Sequence, residues 1–270
     1  MPVPNAETLS RRLLGRSPDA VEPLVVWDER ATYRITLGTE AFVVKGEDPH
    51  TGHDNPEFAN EIAGHQHAVM HGIPAPELVA IETDAFAMRW VEGVPAHRVD
   101  TDAAWRAAAE VTHAIHALPP IGPFGTGFGD AAPSWFDALI AEVDFEAPRC
   151  IARGLDPSAV DRIRVELDLA RAAITAEPVV WCHGDLQPDH ILINPDTNDV
   201  TAVIDWSDHG RGDGAWDLAL LTLDHDRIDE ARSTLVAIYQ RVRLLGEIRW
   251  LADHGFDNWR DCIARLTAGS

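Results

Sequence analysis

Trp181-Cys182-His183-Gly184-Asp185-Leu186-Gln187-Pro188-Asp189-His190-Ile191-Leu192 is the most telling stretch of the chain, and Val203-Ile204-Asp205-Trp206-Ser207 follows soon after. Short apolar runs at 179–182, 191–193 and 200–204 read as strands. An acid therefore stands just past one strand, a second polar ligand lies five residues on, and another acid ends a later strand. Phosphoryl transfer needs this set. One carboxylate orients the attacking hydroxyl and accepts its proton, while further ligands hold Mg²⁺ against the phosphates.

Upstream, the pattern is strand-rich. Residues 24–27, 32–37 and 41–45 read as a meander, with Tyr33, Ile35 and Leu37 alternating against Thr32, Arg34 and Thr36. A polar loop over 48–55 leads to Pro56, which suits the first turn of a helix running to about His71 and stopped by Gly72 and Pro74. Strands at 78–81 and 85–91 follow. Beyond Gly93-Val94-Pro95 the character changes. Ala104, Ala108, Val111, Ile115 and Leu118 mark an apolar helical stripe capped by Thr101 or Asp102. Further helices are expected at 134–143, 157–175, 215–223, 227–245 and 257–266. The reading is an α+β chain of two lobes, a small β-rich lobe over 1–90 and a larger, mainly helical lobe over 91–270, with a cleft between them.

These motifs together resemble the aminoglycoside phosphotransferase family, relatives of the protein kinases. His183–His190 resembles that family's HGDxxxxN loop except at its last position, Ile204-Asp205-Trp206 its IDW, and residues 212–219 its GDPxxDLA. Phe42-Val43-Val44-Lys45, Asn60-Glu61-Ile62-Ala63, residues 71–76 and Met88-Arg89-Trp90-Val91-Glu92-Gly93 are similar to its lysine strand, acidic helix, HGIPVP-like turn and hinge.

The resemblance implies a protein-kinase-like two-lobe fold and transfer of the γ-phosphate of ATP or GTP, with Mg²⁺, to an alcohol of an antibiotic-like acceptor. It makes Asp185 the base, and Asp205 and His190 the metal ligands. Lys45 becomes the phosphate lysine, fixed by Glu61. Val43 and Leu192 enclose the base, and the Trp90 and Val91 backbone meets its edge. Asp217 braces the catalytic loop. Two departures stand out. His190 replaces the family's asparagine, as in macrolide phosphotransferases. Trp27-Asp28-Glu29-Arg30-Ala31-Thr32 has no glycine where protein kinases carry GxGxxG, leaving Arg30 or Thr32 to assist.

Composition limits the partners. The 270 residues carry 22 Lys+Arg against 44 Asp+Glu, a net charge of −22 that repels nucleic acid and anionic membrane and favours a cationic small molecule. Hence a macrolide fits His190, and an aminoglycoside fits the charge. No apolar run reaches the roughly 18–20 residues of a span, and no signal-like core opens the chain, so a cytoplasmic location is expected. Three cysteines form no disulfide framework.

Two other functions remain open at this level. One is a metal-dependent hydrolase built on His183, Asp185, Asp189, His190, Asp205, Asp208 and His209. The other is a non-catalytic nucleotide-binding module. Gly125-Thr126-Gly127-Phe128-Gly129 follows no strand and is expected near the acceptor instead of the nucleotide. His65, His67 and His71 read as solvated helix residues. Trp206 and Trp216 are expected in the core, Trp135 and Trp259 at a pocket wall. Asp144, Glu146, Asp224 and Asp226 read as a solvated acidic face.

Overall fold

A computed structural model describes residues 5–26, 30–47, 56–125, 132–225, 227–228 and 233–268. The chain opens with α1 (Ala6–Leu14), capped by the Asn5 side chain, and then builds β1 (Ala20–Val26), β2 (Arg30–Leu37) and β3 (Glu40–Glu47). After α2 (Pro56–Met70) come β4 (Leu78–Ile81) and β5 (Ala85–Arg89). The five strands form one antiparallel sheet in the order β1-β2-β3-β5-β4.

Alternation divides its faces. Ile35, Leu37, Phe42, Val44, Ala85 and Ala87 pack on Leu9 and Leu13 of α1. Val43, Lys45 and Phe86 lie on the other face, where Phe86 meets Phe58 of α2 with ring centroids 5.1 Å apart. Positions of opposite polarity thus share one strand because only one of its sides is sealed by α1.

The rest is mostly helical. A short β6 (Val94–Pro95) pairs with β8 (Ile191–Ile193), which pairs with β9 (Val200–Val203). Between β6 and β8 come α3 (Ala96–Val99), α4 (Asp102–His116), α5 (Trp135–Ala152), α6 (Pro157–Ala176) and β7 (Val180–Cys182). Then β10 (Gly210–Gly212), which the sequence reading missed, pairs with β7 and is followed by α7 (Ala215–Leu221), α8 (Thr234–Asp253) and α9 (Trp259–Ala268).

The short α3 was not expected, and two of the expected helices differ in extent. α5 continues through Pro148 because Val143, Ala147 and Cys150 remain buried beyond residue 143; that burial offsets the interrupted hydrogen bond. α8 begins after Ser233, whose hydroxyl accepts from Val236 N–H, and runs past Gly246 to Asp253.

Trp206 and Trp216 are buried as expected. Trp135 is a correction. It is sealed in the large helical core, where its indole N–H donates to Tyr239, instead of walling a pocket; Trp259 packs at the edge of that core. His65 is likewise buried, against Pro76 O, and not solvated.

Candidate active site

The catalytic loop hangs between β7 and β8 and is braced from below. Asp217 at the start of α7 accepts from the backbone N–H of His183 and of Gly184, each at 2.9 Å. His116, at the end of α4, donates its Nε2–H to the same carboxylate at 2.9 Å. Gly184 has φ 86, and a Cβ there would lie 2.0 Å from Asp208 O, so no side chain fits. The His183 ring accepts from Asp185 N–H through Nδ1 and donates to Ile204 O through Nε2. It therefore ties the loop to the strand end carrying Asp205, a structural role.

Above this brace, side chains from distant segments converge. Lys45 Nζ lies 2.6 Å from Glu61 and 3.3 Å from Asp205 Oδ1. Burial alone would lower the lysine's proton affinity, but Asp205 and Glu61 more than offset it and keep the ammonium charged. Asp205 has φ 65, a left-handed conformation uncommon outside glycine, which turns its carboxylate into the cleft. Burial opposes its charge too; Lys45 and then His190 outweigh that and hold the carboxyl well below the usual range.

His190 ends a 3₁₀ turn, Pro188–His190. Its Nδ1–H donates to Asp185 O at 2.6 Å, and its Nε2 faces Asp205 Oδ2 at 3.7 Å. Those two atoms are near enough to meet at one small cation with a ligand distance of about 2.1 Å, so the donor set accommodates one divalent ion. Burial would lower the imidazole's proton affinity, but Asp185 and then Asp205 more than offset it, so a proton would compete with any cation for Nε2.

Asp185 is held by groups the sequence reading did not identify. Arg243 of α8 donates to its Oδ1 at 2.6 Å and the Gln187 amide at 3.0 Å. Arg243 also pairs with Glu247 at 3.2 Å. Burial would raise the Asp185 pKa, but Arg243 and then His190 prevail and lower it. An i,i+4 Arg–Glu pair on α8 is an ordinary helix-surface pattern, so nothing local in the sequence marked Arg243 out.

At the far end of the cleft, Trp90 N–H bonds Ala41 O at 2.9 Å. That amide is taken, whereas the Val91 N–H has no partner among the described residues. Val43 lies on the cleft face of β3, with Arg34 across the ladder and stacked 4.1 Å over the Trp90 ring. Leu192 sits on β8 against the Gly93 turn.

Beside the catalytic loop a pocket is lined by His97, Gln187, Asp189, Asp224, His225 and Glu247 among others. Of the expected acidic face, Asp224 lines this pocket, Asp144 pairs with Arg164, and buried Glu146 pairs with Arg249; Asp226 lies outside the described residues. So do Trp27, Asp28 and Glu29, the 48–55 loop, and most of the Gly125–Gly129 segment.

Of the hydrolase set, Asp185, His190 and Asp205 come together, but the remaining histidines do not join them as ligands. His183 and His209 are spent on internal bonds, His209 accepting from Trp181 Nε1. Among the described residues the one group of three or more with metal-like spacing is His116, Cys182 and Asp217, and there Asp217 is already committed to the catalytic-loop backbone.

The model of the phosphotransferase enzyme family matches residues 22–254. The streptomycin 3''-kinase of Streptomyces griseus is 32% identical over 174 residues, covering 60% of this chain and 64% of the kinase. An aminoglycoside 3'-phosphotransferase of Streptomyces fradiae is 34% identical over 180 residues, 58% of this chain and 62% of that protein. The match thus spans less than two thirds of either relative. A thermostable mutant of aminoglycoside phosphotransferase APH(4)-Ia, solved with AMP-PNP and hygromycin B, superposes with a TM-score of 0.70 at 18% identity, over 97% of this chain and 96% of that one. It shares the protein-kinase-like fold.

Proposed function

Because the chain belongs to the phosphotransferase enzyme family, we propose that it is a small-molecule kinase that transfers the γ-phosphate of ATP or GTP to a hydroxyl of a cationic, aminoglycoside-like acceptor. The observation that carries this reading is the convergence of Lys45, Glu61, Asp205, His190 and Asp185, drawn from four separate segments, within a chain of contacts of 2.6–3.7 Å. The hydrolase alternative leaves Lys45 and Glu61 without a task.

The roles follow from chemistry. The nucleotide base would lie between Val43 and Leu192, with its edge at the Val91 amide; Trp90 contributes its ring and carbonyl, not its N–H. Lys45, oriented by Glu61, would hold the α- and β-phosphates. Asp205 and His190 would hold Mg²⁺, which neutralises phosphate charge when bound. Asp185 has Oδ1 saturated by Arg243 and Gln187, which leaves Oδ2 to accept the hydroxyl proton and aim the nucleophile. The work is mostly positioning. The division of labour between residues 1–90, for nucleotide, and 91–270, for catalysis and acceptor, is part of this proposal.

The acceptor class rests on two supports. Asp189, Asp224 and Glu247 line the pocket beside the catalytic loop; Glu247 is shared with Arg243 and Asp224 with Arg265, so the exposed Asp189 carboxylate is the one that favours an ammonium-bearing ligand. The relatives in Streptomyces are named for streptomycin and aminoglycosides. The test is acceptor-dependent release of NDP from MgATP and MgGTP across aminoglycosides and macrolides, with Asp185→Asn as control. Release that needs an aminoglycoside and disappears in the variant is expected. Nucleotide binding without turnover on any alcohol would instead favour the non-catalytic module.

A further inference from the structure

A glycine-rich loop serves a nucleotide by letting bare backbone N–H groups approach its phosphates. This chain has no glycine between Val26 and Leu37. The β2–β3 ladder supplies a different device. It pairs Arg34 with Val43, Thr32 with Lys45, and Arg30 with Glu47. Directly opposed residues share a face, as do alternate residues on one strand. Arg30, Thr32, Lys45 and Glu47 therefore project from one side of the sheet, the side on which Lys45 meets Glu61 and Asp205.

The strand also acts as a ruler. The hinge end of β3 is marked by the Trp90 N–H bond to Ala41 O. At about 3.4 Å per residue, Glu47 and Arg30 lie about 7 Å beyond Lys45, on the side away from the hinge. A nucleotide whose base is at the hinge and whose α- and β-phosphates are at Lys45 brings its terminal phosphate to the level of Arg30.

The guanidinium is held ready there. Nη2 and Nε of Arg30 donate to Glu47 Oε1 at 2.8 and 3.1 Å, and Glu47 is buried. Glu61 holds Lys45 in the same manner one row earlier. The charge of Arg30 is also felt at Lys45, Glu61 and Asp205, which puts it in the same electrostatic site. In a chain of net charge −22, an anionic donor needs such local cations.

We propose that Arg30 is a nucleotide-binding residue that grips the terminal phosphate of the donor, a side-chain substitute for a glycine-rich backbone. Thr32 faces Lys45 itself and is left to the inner phosphates. The assignment rests on the kinase reading above, and it deepens that reading by naming what replaces the missing loop.

Calorimetric titration of the full chain with a nucleoside and its mono-, di- and triphosphate, the last two with Mg²⁺, tests it in whichever base series the unsubstituted protein binds. Arg30→Gln is expected to weaken the triphosphate about 10- to 100-fold, the scale of a lost charged hydrogen bond, and the diphosphate less. Nucleoside and monophosphate should stay within about twofold and Arg30→Lys should recover part of the loss; the melting temperature falls because buried Glu47 loses the Arg30 cation, so the spread between triphosphate and nucleoside affinities is the readout. Equal weakening of all four ligands would show a structural role and overturn the proposal. Unchanged triphosphate affinity would overturn it as well. Failure of the unsubstituted chain to bind any nucleotide would instead sink the kinase reading, and this proposal with it.

Discussion

Arg243 of α8 donates to Asp185 Oδ1 at 2.6 Å, so the acid of the catalytic loop is ion-paired to the helix that contributes Glu247 to the neighbouring pocket. Both side chains are largely enclosed. Removing one strands the other's charge, and breaking such a buried pair costs roughly 3–5 kcal/mol. Arg243→Met should therefore lower both stability and turnover, the latter at least about tenfold, while Arg243→Lys keeps part of each. Wild-type kcat in a stably folded Arg243→Met protein would remove the residue from the site.

Asp185 itself is best tested by Asp185→Asn. The alanine variant would also orphan Arg243 and confuse stability with catalysis. The amide keeps the shape and loses the base. Turnover is expected to fall on the order of 10²–10⁴-fold, with nucleotide affinity unchanged within about threefold. Parallel loss of both in initial-rate and binding measurements would contradict the assignment.

The two proposed metal ligands should respond differently. Asp205→Asn removes a charge that also pairs with Lys45 at 3.3 Å. The Mg²⁺ concentration giving half-maximal rate should rise about tenfold or more. His190→Asn offers an amide that can donate to Asp185 O and present an oxygen toward Asp205, so activity is expected to survive. A folded but inactive His190→Asn protein would mean that the imidazole has another task.

The brace under the loop should matter for folding. Asp217→Ala leaves the buried N–H groups of His183 and Gly184, and the His116 ring, without their acceptor. Each lost buried partner costs about 1–3 kcal/mol, so urea denaturation should show a loss of at least about 3 kcal/mol. A loss under about 1 kcal/mol would mean that the loop is held by other contacts.

His209 gives stability a pH dependence. Burial, over a weaker opposing bond from Asn60, pushes its pKa down to about 4. The unfolded chain takes up a proton near pH 6.5 and the folded one does not, so stability is intact above 6.5 and falls as pH drops toward 4. The separation corresponds to about 3 kcal/mol at most. Melting temperatures from pH 7 to 4 should fall less steeply for His209→Gln, whose amide oxygen can still accept from Trp181. Superimposable curves would show that other groups carry the acid sensitivity.

Residues marked by their order along the chain were legible in the sequence as one group. The succession Lys45, Glu61, His183, Asp185, His190, Asp205, Asp217 implied the fold, and the structure brings its members together. What escaped was contributed by spatial neighbours with no local signature. Arg243 looks like any surface arginine on a helix until α8 is seen beside the loop. His116 reads as an ordinary C-terminal helix residue until Asp217 is found above it. Trp135 could not be told from a pocket wall, because aromatic residues line pockets and cores alike and only packing separates them. Which backbone groups of the hinge stay open was equally beyond the sequence: the Trp90 N–H bond to Ala41 O depends on where β5 ends relative to β3.

Asn60, next to Glu61 on α2, donates to the backbone carbonyls of Ser207 and His209, at 2.5 and 3.2 Å. Two turns of consequence lie in that hook. In protein kinases, movement of the helix bearing the lysine's acidic partner is a point of control. Here the helix is moored to the opposite lobe beside the very residue it must present, and Gly64 one turn later fits so closely against His209 that a Cβ would overlap the ring. The contact holds α2 where Glu61 meets Lys45, so the proposed kinase is expected to need no covalent trigger, and its progress curves should run without a lag from the first turnover.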